Sequence, residues 1–291
     1  QDHKDLAAAL QKIYEREFYR LVERAKQITR EDNLCLGGGC AYNGVANSLA
    51  YKIFDSVHIP FAPSDAGSAI GACLFNYQGE RQDNSNPFLG PEYTNFTVQS
   101  ILHGYEDKLQ WFKLTEEKLI NKTAELLRGQ NIIAWFQGRM EFGARALGNR
   151  SILASPKDPK MRERLNYVIK KREGFRPFAP SVTEEQANRW FYVEENIPYM
   201  NQVVNAKVRD LEAATHVDGS CRVHTVTKKQ NPRYHALITE LGRIDEKAVV
   251  LNTSFNLKDQ TITMTPKQAI ERFINSEINY LVINNYLIRK I

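Results

Sequence analysis

One feature constrains most strongly how this chain can fold. It is a predicted buried strand that runs directly into a loop of glycines and arginines. The apolar run 132–136 predicts a buried strand. The segment 138–151 after it contains three glycines, three arginines, one glutamate and one asparagine. Glycines let the backbone approach a ligand closely, and guanidinium groups match phosphate and carboxylate oxygens. We therefore expect an anionic small molecule at the end of this strand; the alternative is a surface loop with solvated arginines.

Composition bounds the class of protein. The 291 residues suffice for two domains, and 42% hydrophobic with 25% charged residues is typical of a globular chain. The net charge of +5 suits anionic substrates but is too small to indicate nucleic-acid binding. No apolar run approaches the ~20 residues of a membrane span, and no CxxC pair indicates zinc. Because the cysteines look reduced and no leader is visible, we expect a cytoplasmic protein.

The N-terminal region predicts an α/β layer. Apolar spacing predicts a helix over 5–30. Two strand–loop–helix units follow, with strands at 33–36 and 57–61 and helices over 45–54 and 68–77. This order indicates parallel strands whose loops lie at their carboxyl ends, where ligands of such sheets bind. Two short strands do not make a stable domain, so this region looks incomplete.

A change in composition predicts a domain boundary. Glycine, proline and asparagine become frequent between residues 79 and 100. We therefore divide the chain into a domain at 1–85, a linker at 86–100 and a second α/β domain at 101–291.

The second domain alternates predicted helices and strands. Its predicted elements are helices over 116–128, 159–171 and 266–274, and strands over 131–136, 248–251 and 280–283. Thr115 is the expected N-cap of the first helix, and the second is expected to begin after Asp158 with proline in its first turn.

Six segments together resemble the O-carbamoyltransferases of the nodulation-protein-U type, which include antibiotic carbamoyltransferases. The matching segments are GGGCAYNG (37–44), PSDAGSAIGA (63–72), GRMEFGARALGNRSILA (138–154), GFRPFAPSV (174–182), HVDGSCRVHTV (216–226) and LNTSFN (251–256). The resemblance implies an α/β protein in two parts. The first is the end of an ASKHA-like (ribonuclease H-like) carbamoyl-transfer domain, and the second is a YrdC-like carbamoyl-adenylate-forming domain.

The resemblance also implies a two-step reaction. The YrdC-like part uses carbamoyl phosphate and ATP, with Mg, to make carbamoyl-adenylate. The ASKHA-like part then transfers the carbamoyl group to a hydroxyl of a small-molecule acceptor, such as a sugar, a nodulation factor or an antibiotic, and uses a bound divalent, iron-like metal. The sequence does not identify the acceptor.

Phosphate chemistry of this kind needs positive charge where charge develops on phosphoryl oxygens. We therefore expect Arg145, Arg150, Lys171 and Arg176 to be catalytic. The residues expected to bind nucleotide or carbamoyl phosphate are Gly37, Gly38, Gly39, Asn43, Arg139, Asn149, Ser151, Arg222, Ser254 and Asn256.

Some of these residues have structural alternatives. Arg139 can instead pair with Glu141, and Asn43 favours capping the following helix over contacting nucleotide. Ser254 and Asn256 can instead form a turn with Asx-type hydrogen bonds.

The chain departs from the family pattern at four points. The first half of the ASKHA-like domain, with the paired histidines that hold the metal, is missing, so we expect a C-terminal fragment or one piece of a split enzyme. Asp65 is the metal ligand that the resemblance implies, and one carboxylate predicts weak or absent metal binding here. Ala144 replaces a usual proline, Asp259 a usual glycine, and His224 a residue that is often glutamine.

Two other functions stay open. The chain can be a non-catalytic module that docks a separate N-terminal half through helix 5–30 and an unpaired sheet edge. It can also modify tRNA by threonylcarbamoyl transfer, although the modest charge and the lack of an aromatic–basic stripe argue against RNA.

Overall fold

The computed structural model describes residues 2–80 and 85–291, which form two compact units. Unit 1 comprises the chain up to Ser85 together with Met200–Val203, and unit 2 comprises Asn86–Tyr199 and Val204–Ile291.

Unit 1 contains the short parallel layer that the sequence predicts. Its elements are α1 (Asp2–Thr29), β1 (Asn33–Cys35), α2 (Gly44–Ala50), β2 (Ser56–His58) and α3 (Asp65–Phe75). Strands β1 and β2 pair in parallel, as predicted. Val22, Phe54, Val57 and Ile59 form the centre of a small core between this layer and α1.

Unit 2 is built on an eight-stranded mixed sheet. Its elements are α4 (Asn95–Leu102), β3 (Leu109–Lys113), α5 (Glu116–Arg128), β4 (Ile133–Phe136), β5 (Arg150–Ala154), α6 (Met161–Glu163), β6 (Ala179–Thr183), α7 (Ala187–Trp190), β7 (Val204–Asn205), β8 (Ser220–Cys221), β9 (His224–Val226), α8 (Pro232–Asp245), β10 (Val249–Ser254), α9 (Pro266–Ile274), β11 (Tyr280–Ile283) and β12 (Tyr286–Lys290). The strand order is β3-β12-β11-β4-β5-β10-β6-β9, and β7 pairs with β8 in a separate small sheet. The pairs β4–β11 and β6–β9 are parallel, and the other neighbours are antiparallel.

Helices cover both faces of this sheet. Successive residues of β4 point to opposite faces, so Ile133 and Trp135 pack into the core beneath α5 and α8. Ala134 and Phe136 pack into the opposite core, with residues of α4 and α9. The predicted α/β class is therefore confirmed.

Capping explains why several predicted helices have the expected bounds. Thr115 accepts a hydrogen bond from the backbone N–H of Lys118 at 3.4 Å, as expected for the N-cap of α5. Thr265 and Gln268 form a capping box at the start of α9.

The helix predicted over 159–171 differs in the structure. The α-helix begins at Met161, because the Asp158 side chain instead accepts a hydrogen bond from the Lys160 N–H and closes a turn. From Arg164 to Lys170 the chain continues as a π-helix.

The stretch 86–100, expected as a linker, belongs to unit 2. Its last residues start α4, and Thr94 caps that helix by accepting from the Thr97 N–H. Val98 and Leu102 on α4 are fully buried. The glycine, proline and asparagine residues therefore belong to a packed segment rather than a spacer. Within the described parts of the chain, no helix has the length and apolarity to span a bilayer.

Replacing Gly148 with alanine tests the packing between the β4–β5 loop and α8. An added Cβ would lie 2.3 Å from Cδ1 of Tyr234, and Gly148 has a φ of +97°. We expect Gly148→Ala to lower the free energy of unfolding by about 2 kcal/mol or more. Gly104→Ala is the matched control, because nothing lies within 4 Å of the added atom. Urea unfolding of both variants measures the difference, and equal losses would contradict this packing.

Candidate functional site

The loop between β4 and β5 is closed at its base by strand pairing. Phe136 and Arg150 are cross-strand partners, and the Gln137 N–H donates to the Asn149 carbonyl at 3.0 Å. We call residues 138–149 the arginine loop. Its two ends are therefore fixed by the central sheet of unit 2.

A buried carboxylate organises the interior of the arginine loop. Glu141 is 4% exposed. Its Oε1 accepts hydrogen bonds from the backbone N–H groups of Leu147, Asn149 and Arg150 at 2.8, 2.7 and 3.1 Å. Glu141 therefore satisfies the backbone donors at the end of the loop and does not pair with Arg139.

Arg150 is a second internal anchor. It is fully buried and donates to the carbonyl oxygens of Gln137, Gly138 and Pro91 at 2.6, 3.0 and 3.1 Å. Its guanidinium lies 3.6 Å from the centre of the Phe136 ring. Burial lowers the pKa of Arg150 to about 10, which the charge of Glu141 opposes. The Nη groups of Arg150 therefore face backbone carbonyls out of reach of solvent, and its buried Nε has no hydrogen-bond partner among the described residues. The phosphate contact expected of Arg150 from the sequence stays a prediction.

Three other residues expected at the ligand also hold the loop. Arg139 donates to the carbonyls of Leu89 and Gly90 at 2.7 and 3.1 Å. Asn149 is buried and donates to the Arg139 carbonyl at 2.7 Å. Ser151 is fully buried, and its hydroxyl accepts from the Gly148 N–H at 3.1 Å. These three side chains make hydrogen bonds that support the local structure, and their assignment as ligand-binding residues stays a prediction.

Arg145 is the loop arginine that lies beside other cations. Burial, together with the positive charges of Arg145 and Arg172, lowers the pKa of Arg222 to about 9. Nε of Arg222 is buried and has no hydrogen-bond partner among the described residues. Three arginines from distant parts of the sequence thus lie near one another, with a buried N–H donor of Arg222 left unused, as expected of a site that binds an anion.

His216 borders the same cluster. It is half-buried; burial lowers its pKa and the charge of Arg222 lowers it too, whereas Asp218 opposes both.

A basic cavity of about 360 Å³ adjoins this cluster through Arg172. Its lining residues are Lys170, Lys171, Arg172, Glu173, Arg176, Ser254, Asn256, Leu257, Lys258 and Asp259. Five of these side chains are basic and two are acidic. The cavity therefore suits a polyanion of the size of a nucleotide's phosphates.

Lys170 is a buried residue of the cavity wall that the sequence did not single out. Its Nζ donates to the carbonyls of Ser254 and Asn256 at 2.5 and 2.9 Å and to Oδ1 of Asn256 at 2.8 Å. Burial, together with the charges of Arg172 and Arg272, lowers its pKa to about 7. The sequence carried no clear signal for it, because residues 164–170 form a π-helix whose period differs from the 3.6 residues of an α-helix.

The turn after the π-helix separates the two neighbouring lysines. Lys171 is in the left-handed region, with φ 46°, and is exposed. Asn166 holds the next residues: its Nδ2 donates to the Arg176 carbonyl at 2.8 Å, and its Oδ1 accepts from Arg172 Nε at 2.7 Å. Lys170 thus points inward while Lys171 stands at the rim of the cavity.

The remaining expected residues of unit 2 lie at the basic cavity. Arg176 is exposed and pairs with Glu173 at 3.0 Å. Ser254 donates to Oδ1 of Asn256 at 2.5 Å, so the expected turn and a place in the cavity wall are both present. Asp259, where the resemblance has glycine, adopts φ 59°, a conformation that glycine adopts readily.

The glycine loop of unit 1 is open. A Cβ added at Gly37, Gly38 or Gly39 would meet nothing within 4 Å. The Gly38 N–H donates to the Pro63 carbonyl at 2.6 Å, which joins the loops that follow β1 and β2. Asn43 accepts from the Ala46 N–H at 3.2 Å and caps α2, as favoured from the sequence.

Asp65 does not form a metal centre with its described neighbours. It is exposed in the first turn of α3. Within residues 2–80 and 85–291, no three His, Cys, Asp or Glu side chains are placed to share an ion. The donor set around Asp65 therefore does not fit a tight divalent-metal site.

Comparison with protein-family models finds two matches in this chain. The model of the carbamoyltransferase C-terminus matches residues 124–290, and the model of the carbamoyltransferase N-terminus matches residues 1–74.

Individual relatives agree with these matches. Nodulation protein NolO of Bradyrhizobium diazoefficiens is 36% identical over 304 residues, which cover 100% of this chain and 55% of the relative. The 3'-hydroxymethylcephem-O-carbamoyltransferase of Amycolatopsis lactamdurans is 35% identical over 265 residues, covering 88% of this chain and 48% of the relative. The chain thus spans about half the length of these relatives.

A crystal structure of full-length HypF in the phosphate- and nucleotide-bound form is also similar. It aligns with a TM-score of 0.40 and 15% identity, over 62% of this chain and 22% of that chain. A similarity this low assigns neither a fold family nor a function.

Replacing Arg150 tests its role as an anchor. We expect Arg150→Met to lower the free energy of unfolding by about 3 kcal/mol or more, since it leaves buried carbonyls and the Glu141 charge without their partner. Arg243→Met is the control, because Arg243 is exposed and pairs with Glu240; its loss should stay under about 1 kcal/mol. Urea unfolding measures both. A similar small loss for the two variants would show that Arg150 does not anchor the loop.

Proposed function

The chain belongs to the carbamoyltransferase family, and we propose that unit 2 binds ATP and carbamoyl phosphate and forms carbamoyl-adenylate. The observation that carries the proposal is the buried, unsatisfied Nε of Arg222 beside the charges of Arg145 and Arg172. Like charges held together repel, so an anion that neutralises such a cluster is bound favourably.

The basic side chains of the cavity also support the proposal. Lys170 is held by three oxygen acceptors from the end of β10 and the residues after it. Arg172 lines the cavity and also acts on Arg222. Basic side chains therefore follow one another from the cavity to Arg145. Their number suffices to bind more than one phosphate group.

The proposed reaction has two steps, and both involve phosphates that these basic side chains would bind. Water and carbamoyl phosphate give carbamate and phosphate as the carbonyl-to-phosphate linkage breaks. A carbamate oxygen then attacks the α-phosphorus of ATP, a new C–O–P linkage forms, and pyrophosphate leaves. Negative charge builds on phosphoryl oxygens and on the leaving pyrophosphate, which cations can stabilise.

We assign roles within this scheme from burial and position. Arg145 and Arg222 bind the phosphate that is lost or the pyrophosphate that leaves. Lys170 and Arg172 bind the phosphates of ATP, whose Mg ion is part of the nucleotide substrate. Lys171 and Arg176, exposed at the rim, attract and orient the incoming anions.

The second step is transfer of the carbamoyl group to a hydroxyl of a small molecule. Two relatives carry the name 3'-hydroxymethylcephem-O-carbamoyltransferase. These names support a hydroxyl group as the acceptor. Because the residues around Asp65 do not fit a metal, no step is derived through one. The open glycines 37–39 of unit 1 are the surface that we propose for nucleotide or the transferred group.

A second candidate function is docking of a separate N-terminal half. It is favoured by α1, on which Val22 is the one buried residue. The large apolar side chains exposed on this helix include Leu6, Leu10, Ile13, Leu21 and Ile28. A stripe of this kind marks a protein-binding surface. Under this function the chain alone would neither bind ATP nor release pyrophosphate.

Titration of the chain with ATP, with and without carbamoyl phosphate, tests the proposed function directly. We expect heat of binding and pyrophosphate release from the parent protein. Arg222→Ala and Arg145→Ala should each weaken binding by about 1.5–3 kcal/mol, the value of a charge-assisted contact. Arg243→Ala removes an equal but distant charge and should bind like the parent. Parent-like binding by both site variants would mean that the cluster is not the anion site.

The pH dependence of anion binding should follow Lys170. Its pKa lies near 7 in the free protein, so the ammonium is present at lower pH and is lost as the pH rises. We expect sulfate, which does not titrate in this range, to bind more weakly as the pH rises from 6 to 8.5, by at most about tenfold per pH unit for one proton. Lys170→Met should bind sulfate weakly with little pH dependence. An equal slope in the variant would assign the titration to another group, such as His216.

A further inference from the structure

A buried chain of hydrogen bonds joins the segments that carry the anion site. Nδ2 of Asn252 donates to the Ala146 carbonyl at 3.2 Å and to Oγ of Ser181 at 3.2 Å. Oγ of Ser181 lies 3.0 Å from Nδ1 of His224. Asn252, Ser181 and His224 are 2%, 0% and 4% exposed.

Each end of this hydrogen-bond chain lies next to an arginine of the Arg145–Arg172–Arg222 cluster. Ala146 follows Arg145 directly in the sequence, and His224 lies two residues after Arg222. On the other side of Ala146, the Leu147 N–H is held by Glu141 at 2.8 Å. The backbone next to Arg145 is thus fixed by two buried side chains.

Strand register explains why these three side chains meet. Ser181 is the cross-strand partner of His224 on β9 and of Val250 on β10. Asn252 lies two residues after Val250, so its side chain points to the same face of the sheet. Beyond Asn252 the strand leads to Ser254 and Asn256, which hold Lys170.

Burial determines the protonation state of the groups in this hydrogen-bond chain. Burial lowers the pKa of His224 to about 3, so its ring is neutral under ordinary conditions. The Ser181 hydroxyl accepts one hydrogen bond from Asn252 and can therefore donate its own proton to Nδ1 of His224. Each link then has one donor and one acceptor, without a charge.

We propose that Asn252, Ser181 and His224 are positioning residues that set the spacing between Arg145 and Arg222. This inference rests on the proposed function, because it concerns the geometry of that anion site. None of the three contacts the anion. They act by holding the backbone on either side of it, so a change in any of them moves an arginine rather than removing a charge.

Binding of inorganic pyrophosphate by the whole chain, measured by calorimetry, tests the proposal. We expect Asn252→Ala and Ser181→Ala each to raise the dissociation constant about tenfold, since displaced arginines no longer match the oxygens. Thr123→Val is the matched control: Thr123 is also a buried hydroxyl but donates within α5, to the Leu119 carbonyl at 2.7 Å. It should cost stability and leave pyrophosphate binding unchanged.

Two further variants separate positioning from general damage. His224→Gln offers Ser181 an amide oxygen and should bind pyrophosphate like the parent, whereas His224→Leu should bind as weakly as Ser181→Ala. In an Arg145→Ala background, Asn252→Ala should cause no further loss, because its effect acts through Arg145. If Asn252→Ala does not fold, Ser181→Ala with the histidine pair tests the same links.

The outcomes distinguish this inference from the function beneath it. No pyrophosphate binding by the parent protein overturns the proposed function and the inference with it. Tight binding by the parent that Asn252→Ala and Ser181→Ala leave unchanged overturns the inference alone. Additive losses in the Arg145→Ala background also overturn it.

Discussion

The conformation of the arginine loop, and with it the proposed site of unit 2, depends on two buried charged groups: the Glu141 carboxylate and the Arg150 guanidinium. Glu141 accepts three backbone N–H groups of the arginine loop, and Arg150 donates to carbonyls of the same loop and of Pro91. Oε1 of Glu141 and both Nη groups of Arg150 are engaged by backbone groups, so a loop rich in glycine adopts one conformation. That conformation places Arg145 beside Arg222 and buries the arginine that ends the loop.

Local patterns predicted the elements but not which charges face a ligand. The bounds of α5 and α9 could be read from apolar spacing and capping residues, since both signals act within one turn of helix. The burial of Arg150 was not predicted, because a charged residue usually lies outside; its position opposite Phe136 in the β4–β5 pair follows from strand register. The stretch 86–100 was misassigned because turn residues resemble a linker until the burial of α4 is known.

The site itself combines segments that are far apart in the sequence. Lys170 was passed over for Lys171, because the π-helix and the left-handed residue after it are not visible in a 3.6-residue period. The convergence of Arg145, Arg172 and Arg222 depends on the order of β5, β10, β6 and β9 in the sheet. The sequence singled out Arg145 and Arg222 but not Arg172. The structure adds that Nε of Arg222 is buried and has no hydrogen-bond partner among the described residues. The ASKHA-like and YrdC-like assignments of the two parts stay predictions.

Exchange of labelled pyrophosphate into ATP, with and without carbamoyl phosphate, tests the central claim most directly. Exchange requires that carbamoyl-adenylate stays bound while labelled pyrophosphate enters the site and attacks its α-phosphorus. The account predicts label in ATP that depends on carbamoyl phosphate and is lost in Arg222→Ala. Absence of exchange by a chain that binds both ATP and carbamoyl phosphate would contradict adenylation at this site.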